Sequence, residues 1–521
     1  MRRSPNQLCF RASIARHFSN VNHHRPLRTL NARNLSFSAP ATSSHGLRNN
    51  SKRLNVVACI TGIFLGAYTL QNYWYGSNLR SDAPSEVEEE RLRRDSRQLR
   101  RILHGSKLDT QYGVDVEHIL KRCEESVENS GPGVRRYDIN QIASNSPTED
   151  DHSEAVVRSP SGSSWHFWAV IDGHVGWETS AALSERLIPS VNGALRGLYN
   201  RNANPTSSDI DSAITQAFLN LDDEFVNKSL EKALNTKSRG EVSHILSQAL
   251  AGAVALLAFY DPSAGQVKVA LTGDLRAVRG RKGADGKWET TVLTIEQDGA
   301  NEDEAARIRK EHPGEPDVIK DGRVLGWQPT RMFGDAGLKW SVENQKEVRK
   351  RFLGGRVRDV VKTPPYVTAE PVITTTDVKP GDFLILGCDG IWESLSSEEA
   401  VSLVGLWLES STSKAKRLSS VPPLAVKGPK SSRFGGWFGK STSQSAGDAS
   451  HSKEKTVRYE QWRIPKTFVT VDENVATHLI RNSLGGEDTE TMRALLTRTG
   501  SLARRLRDDM TVTVVFFDDS T

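Results

Sequence analysis

A chain of 521 residues, 37% of them hydrophobic, is long enough to bury at least one large core, and that composition excludes a wholly disordered polypeptide. Its formal charge of +5 is unevenly spread: Met1 to Ser81 holds eleven Lys or Arg and no acid, leaving 58 basic against 64 acidic residues beyond it, a balance of −6. An acidic body argues against binding a nucleic-acid backbone and suits carboxylates that hold cations, while Cys9, Cys59, Cys123 and Cys388, with no CxxC pair, give neither a disulfide framework nor zinc spacing.

Residues 1–52 are rich in Arg, Ser and Asn and carry an amphipathic run from Leu8 to Arg16. This predicts a mitochondrial transit peptide, with a solvated basic arm as the alternative. Residues 55–76 contain an uncharged apolar run, Val56 to Leu70, followed by Tyr73-Trp74-Tyr75. The run is shorter than the roughly 20 residues a full span uses, but an interfacial aromatic cluster extends it, so one membrane-spanning anchor is expected, with a buried helix as the alternative. Residues 77–111, almost all charged between Glu86 and Arg101, read as a solvated helix or linker.

From 112 to 521 the composition is globular, except at about 410–455, where Ser, Gly and Lys dominate and a disordered insertion is expected. Apolar runs at Ala251–Tyr260 and Gln266–Thr272 flank Asp261-Pro262-Ser263-Ala264-Gly265, the chemistry of a hairpin turn. Helical periodicity appears at Ser180–Leu187, Ser212–Leu234, Glu302–Glu311 and Phe468–Leu484, and Thr511–Phe517 reads as a final strand. Hairpin-paired strands with separate helices predict an antiparallel α+β domain.

Asp-Gly occurs at positions 172, 285, 298, 321 and 389, and most such pairs are turns. Asp172 and Asp389 differ because each closes a continuous apolar run, Phe167–Ile171 and Phe383–Cys388, while Asp508 precedes the last strand. In an antiparallel sheet the start of one strand lies beside the end of its neighbour, so these three acids can share an edge. Gathered carboxylates favour a hard cation, Mg²⁺ or Mn²⁺, which can activate water for attack on phosphorus. Turn-capping acids, or acids paired with arginine, remain the other reading of the spacing.

Six stretches resemble the metal-dependent Ser/Thr protein phosphatases of type 2C, in that family's order: Pro147-Thr148-Glu149-Asp150, Ala169–Gly176, Gly273–Val278, Arg331-Met332-Phe333-Gly334-Asp335, Gly387–Glu393 and Arg507–Thr511. The resemblance implies two packed antiparallel β-sheets flanked by helices, a four-layer αββα sandwich. It further implies that two divalent metal ions are held by Glu149, Asp172, the Gly173 carbonyl, Asp389 and Asp508. Asp150 and Glu393 would orient water, and His174 would be the general acid for the leaving serine or threonine oxygen. A structural histidine at the turn is the alternative for His174.

The arginine that many members place four residues before the glutamate is Asn145 here, so the phosphate-side contact at that position departs from the pattern. Further stretches, among them Thr363–Pro371 and Asn474–Arg481, resemble the pyruvate dehydrogenase phosphatase branch, whose members share that asparagine. That branch implies hydrolysis of phosphoserine in the dehydrogenase E1 component, E1α, which agrees with a mitochondrial leader; the apolar run at 55–76 would anchor the chain to the inner membrane, with the catalytic domain on either the matrix or the intermembrane side. Two other classes compete: a pseudophosphatase that only binds phosphoproteins, disfavoured by the complete acid set, and a nuclease, disfavoured by the lack of a basic groove.

Overall fold

Strands β1 (Glu125–Gly131), β2 (Val134–Ile142), β7 (Arg276–Lys282), β8 (Trp288–Val292), β10 (Phe383–Gly387) and β11 (Met510–Phe517) form one sheet in the order β1-β2-β11-β10-β7-β8. A second sheet runs β9-β6-β5-β4-β3, from β3 (Asp151–Arg158), β4 (Ser164–His174), β5 (Gly252–Asp261), β6 (Gln266–Thr272) and β9 (Val372–Asp377). The short strand Phe333–Gly334 adds to it on β5. Every pairing within the two sheets is antiparallel. The computed structural model describes residues 115–144, 146–352, 357–416, 426–427, 456–498 and 501–518.

The strands read as unbroken apolar runs because both faces are covered. In β4, Trp168 and Val170 join the core between the sheets, whereas Phe167, Ala169 and Ile171 face helices α1 (Glu178–Arg201), α2 (Ser207–Asp223) and α3 (Arg239–Leu250). The same alternation sorts β5, with Val254 and Leu256 inward and Ala255 and Leu257 toward the helices. Helix α1 meets this face with Leu183, Leu187, Val191 and Leu195, a stripe at i, i+4 spacing. On the other flank, α4 (Ser397–Lys416) and α5 (Val475–Ser483) cover the first sheet through Val401, Val404, Val475 and Leu479. Each such side chain, fully buried, contributes roughly 1.5–3 kcal/mol. The layers are therefore helix, sheet, sheet, helix, the α+β sandwich expected.

The 261–265 turn closes β5 onto β6, with the Ser263 amide donating to Asp261 Oδ1 at 3.0 Å and Gly265 at φ 62°. Helix Glu302–Glu311 has the bounds its periodicity predicts, because Asn301 caps it by accepting from the Asp303 amide at 3.1 Å. The single helix expected over 212–234 is instead α2, a π-helical turn at Glu224–Lys228 and a further helix at Ser229–Asn235. The 468–484 pattern is helical only from Val475, since Asn474 accepts from the Thr477 amide at 2.9 Å and sets the start there.

Helix α4 runs past Ser410 to Lys416, and Val426–Lys427 pairs with Thr467–Phe468, so the start of the expected insertion is helical and two of its residues lie in a strand. The transit peptide at 1–52, the anchor at 55–76, the linker at 77–111 and the remainder of 410–455 lie outside the described residues. Among the described residues, no helix is long and apolar enough to cross a membrane.

Candidate active site

Strand parity aims the first acid. Asp172 shares the face of Trp168 and Val170, so its carboxylate points between the sheets at their rim. Strand β4 does not stop at Asp172, as its Asp-Gly turn chemistry suggests; it continues to His174, because Gly173 and His174 still pair with Ala253 and Gly252. Across the sandwich, Gly387 at the end of β10 lies opposite Val512 of β11, which brings Asp389 and Asp508 to one edge. Asp389 opens the short helix Asp389–Trp392. The acids therefore gather from both sheets, not along one edge of a single sheet.

Asp150, Asp172 and Cys388 each offer one atom to a group whose members all lie within 4.8 Å of one another. Thr511 Oγ1 donates to Asp150 Oδ2 at 2.6 Å, while Asp150 Oδ1 and Asp389 Oδ1 are buried and, among the described residues, accept no hydrogen bond. Burial, and then the charges of Asp150 and Asp389, push the Asp172 carboxyl well above the usual carboxylate range. Burial and Asp508 do the same to Asp389, and burial and Asp509 to Asp150. Such a cluster must take up protons or a cation.

The donor set fits a hard divalent cation. Carboxylate oxygens dominate it, and among the described residues Asp150 Oδ1 within the group and Asp389 Oδ1 beside it have no hydrogen-bond partner. Burial and the adjacent carboxylates raise the Cys388 thiol well above its ordinary value, so it stays protonated and does not offer the thiolate that zinc prefers.

Glu149 reaches this rim on a loop anchored by Asp509, which accepts from Ser144 Oγ at 2.7 Å and from the Glu149 amide at 2.8 Å. Glu149 Oε1 accepts from the Gly176 amide at 2.7 Å. A Cβ at Gly173 would lie 2.3 Å from the Glu149 carbonyl oxygen, so only glycine lets this loop approach β4. Arg504 bridges the acids: its guanidinium is 2.6 Å from Asp508, 3.4 Å from Glu149 and 3.8 Å from Asp509. Glu393 is held to one side, accepting from Arg458 Nε at 2.6 Å. Asn145 lies outside the described residues.

His174 Nε2 hydrogen-bonds Asp335 Oδ2, a residue at φ 47° whose amide donates to the Ala251 carbonyl at 2.9 Å. Gly252 makes this contact possible, since a Cβ there would come within 2.1 Å of Asp335 Oδ2 and 2.2 Å of His174 Nε2. Burial opposes protonation of His174, but the hydrogen bond and charge of Asp335 outweigh it and hold its pKa above the ordinary value.

Sequence reasoning assigned no role to Asp274, Asp335, Asp509, Arg504 or Cys388. Asp274 adds its charge to Asp172, Asp389 and His174, and its own carboxyl is pushed up to about 7 by burial and by Glu296. Asp274, Asp335, Cys388 and Asp509 do stand inside the stretches that carry the family resemblance, the one signal that singled them out. Arg504 stands in none of them.

Comparison with known proteins agrees with this geometry. Residues 142–421 match the sequence model described as Protein phosphatase 2C. A protein phosphatase 2C homolog of Schizosaccharomyces pombe is 40% identical over 419 residues, covering 78% of this chain and 86% of that protein. The mitochondrial pyruvate dehydrogenase (acetyl-transferring) phosphatase 1 of Saccharomyces cerevisiae is 37% identical, covering 85% of this chain and 78% of its own length. The corresponding human phosphatase 2, also named mitochondrial, is 28% identical over 78% of this chain and 82% of its own.

Proposed function

The chain belongs to the protein phosphatase 2C family, and from that premise we propose that this serine/threonine phosphatase acts in mitochondria on phosphoserine of the pyruvate dehydrogenase E1 component, E1α. The observation that carries the substrate is similarity along most of the chain to relatives named for that activity, 37% over 85% of its length in the yeast protein. The leader at 1–52 and an inner-membrane anchor at 55–76 belong to the same reading.

Asp172, Asp389 and Asp508 would hold one ion and Asp172 with Glu149 a second, each Mg²⁺ or Mn²⁺, with the Gly173 carbonyl on one of the two. Bound cations supply Lewis acidity toward water and the phosphoryl oxygens. The residues themselves do the rest. His174, fixed through Nε2 by Asp335, is left with Nδ1 to donate a proton to the departing seryl or threonyl oxygen. The Asp335 carboxylate favours the proton on this imidazole, the cations beside it would oppose that, and the ring can still donate to a developing alkoxide. Asp150, with one unpartnered oxygen, and Glu393 would orient water, and Asp509 holds the Glu149 loop against β4. Retention of this buried, mutually repelling acid set disfavours a binding-only role.

The test is phosphate release by the full chain from phosphorylated E1 component, set against an unrelated phosphoserine protein at equal concentration with Mn²⁺ or Mg²⁺. Faster release from E1 is expected; equal or slower release would remove the substrate assignment. Alkaline extraction and protease protection of mitoplasts check the anchor: full release from the membrane would reject it.

A further inference from the structure

Beside His174 opens a cavity of about 770 Å³ whose lining includes Val175, Leu250, Trp327, Asp335, Arg358 and Val360. It adjoins the catalytic group: of its lining residues, Asp335 bonds the His174 ring and Val175 follows His174 in the chain. Its walls expose apolar side chains to an unusual degree, Val175 at 63% and Val360 at 54%. Val175 is moreover a β-branched residue held at φ 59°.

The feature without an explanation inside the fold is Arg358. Its guanidinium carbon lies 4.4 Å over the Trp327 ring, and that ring is 6.4 Å from the His174 ring. These distances put the guanidinium within about three extended residues of the imidazole. Its position is built: the Arg358 amide donates to Gln345 Oε1 at 3.0 Å, and a Cβ at Gly337 would come within 2.9 Å of Arg358 Nε. The group is only partly exposed, and burial depresses its pKa with Asp335 opposing. Yet among the described residues the guanidinium donates no hydrogen bond, and Asp335 is already engaged by His174. Donors left unsatisfied in a partly desolvated place are costly, and stacking on an indole leaves the guanidinium edge free for a two-pronged contact with an oxyanion.

We infer that Arg358, stacked on Trp327, is a recognition residue for an anionic group of the phosphoprotein substrate lying in this cavity, either the phosphoryl oxygens or an acidic side chain close to the phosphoserine. The inference rests on the phosphatase reading. It supplies a positive group on the substrate side in a chain that carries Asn145 where many members of the family carry an arginine.

Its test is binding, which needs no turnover. Fluorescence anisotropy with the full chain in Mn²⁺ measures three labelled peptides: a non-hydrolysable phosphonate analogue of phosphoserine with acidic flanks, the same analogue with neutral flanks, and plain serine with acidic flanks. Arg358→Ala is expected to weaken the first about 10- to 100-fold, the range for losing a hydrogen bond to a charged group. Arg358→Lys, which keeps charge but not the planar fork, should recover part of the loss. A loss shared by both phosphonates identifies the phosphoryl group as the ligand, and a loss confined to acidic flanks identifies the carboxylate. Affinities within twofold of wild type for every peptide, in both variants, would overturn the inference. Wild-type turnover of the matching phosphoserine peptides, run alongside, tests the phosphatase reading separately.

Discussion

Asp172→Asn should stabilise the cation-free protein while removing its response to cations. Asp172 and Asp150 offer ligand atoms within 4.8 Å of each other, and both carboxyls are driven upward by burial and by neighbouring acids. Two charges at that separation repel by about 3 kcal/mol at an effective dielectric constant near 20. Proton uptake already relieves part of this, so a gain of about 1–3 kcal/mol is expected from the isosteric amide. Urea unfolding in chelator, followed by tryptophan fluorescence, measures it. With Mn²⁺ at about 100 times its dissociation constant the wild type should gain roughly 2.7 kcal/mol, and the variant should gain much less. A variant less stable than wild type in chelator, or one that keeps the whole Mn²⁺ increment, would refute the repelling-ligand argument.

His174→Ala should lower kcat about 10²-fold with the fold intact, the usual scale for a lost general acid; an unchanged kcat would return this histidine to a structural role. Gly252→Ala should mimic it in steady-state assays, because the added methyl displaces the ends of His174 and Asp335 and leaves the strand in place. Normal turnover by that variant would show that the pair is dispensable. Glu304 accepts from Arg331 and Thr330, and although burial alone would raise its pKa, Arg331 and Arg307 bring it down from 4.5 to about 2. Glu304→Gln should therefore cost about 3 kcal/mol at neutral pH. The folded value lies below the unfolded one, so this contribution is complete above pH 4.5 and fades as the pH falls toward 2. Unfolding free energies that differ by the same amount at pH 7 and pH 3 would contradict it.

The sandwich was legible because burial on both sheet faces leaves continuous apolar runs, and because the 261–265 turn and the Asn301 cap carry their own chemistry. The acids at 172, 389 and 508 stood out by terminating or preceding such runs, and only the family order of motifs extended them to Glu149 and His174. What stayed hidden depends on tertiary approach. Asp335 meets His174 because Phe333–Gly334 pairs on β5 opposite a glycine, a contact that no spacing announces. Arg504 and Arg358 sit among many solvated arginines in sequence, and only packing separates the one that bridges carboxylates from the one stacked on Trp327. The π-helical turn at Glu224–Lys228 likewise interrupts a pattern whose apolar period runs on unbroken.

On the proposed reading, the acidic rim shared by the two sheets is the centre for cation-dependent hydrolysis of phosphoserine. Phosphoserine-peptide turnover by wild type and Asp389→Asn, titrated from excess chelator to saturating Mn²⁺, tests it most directly. Wild-type activity should rise from nothing with the cation, and the variant should remain inactive throughout while staying folded. Turnover by wild type in chelator, or a near-normal rate for Asp389→Asn at saturating Mn²⁺, would contradict it.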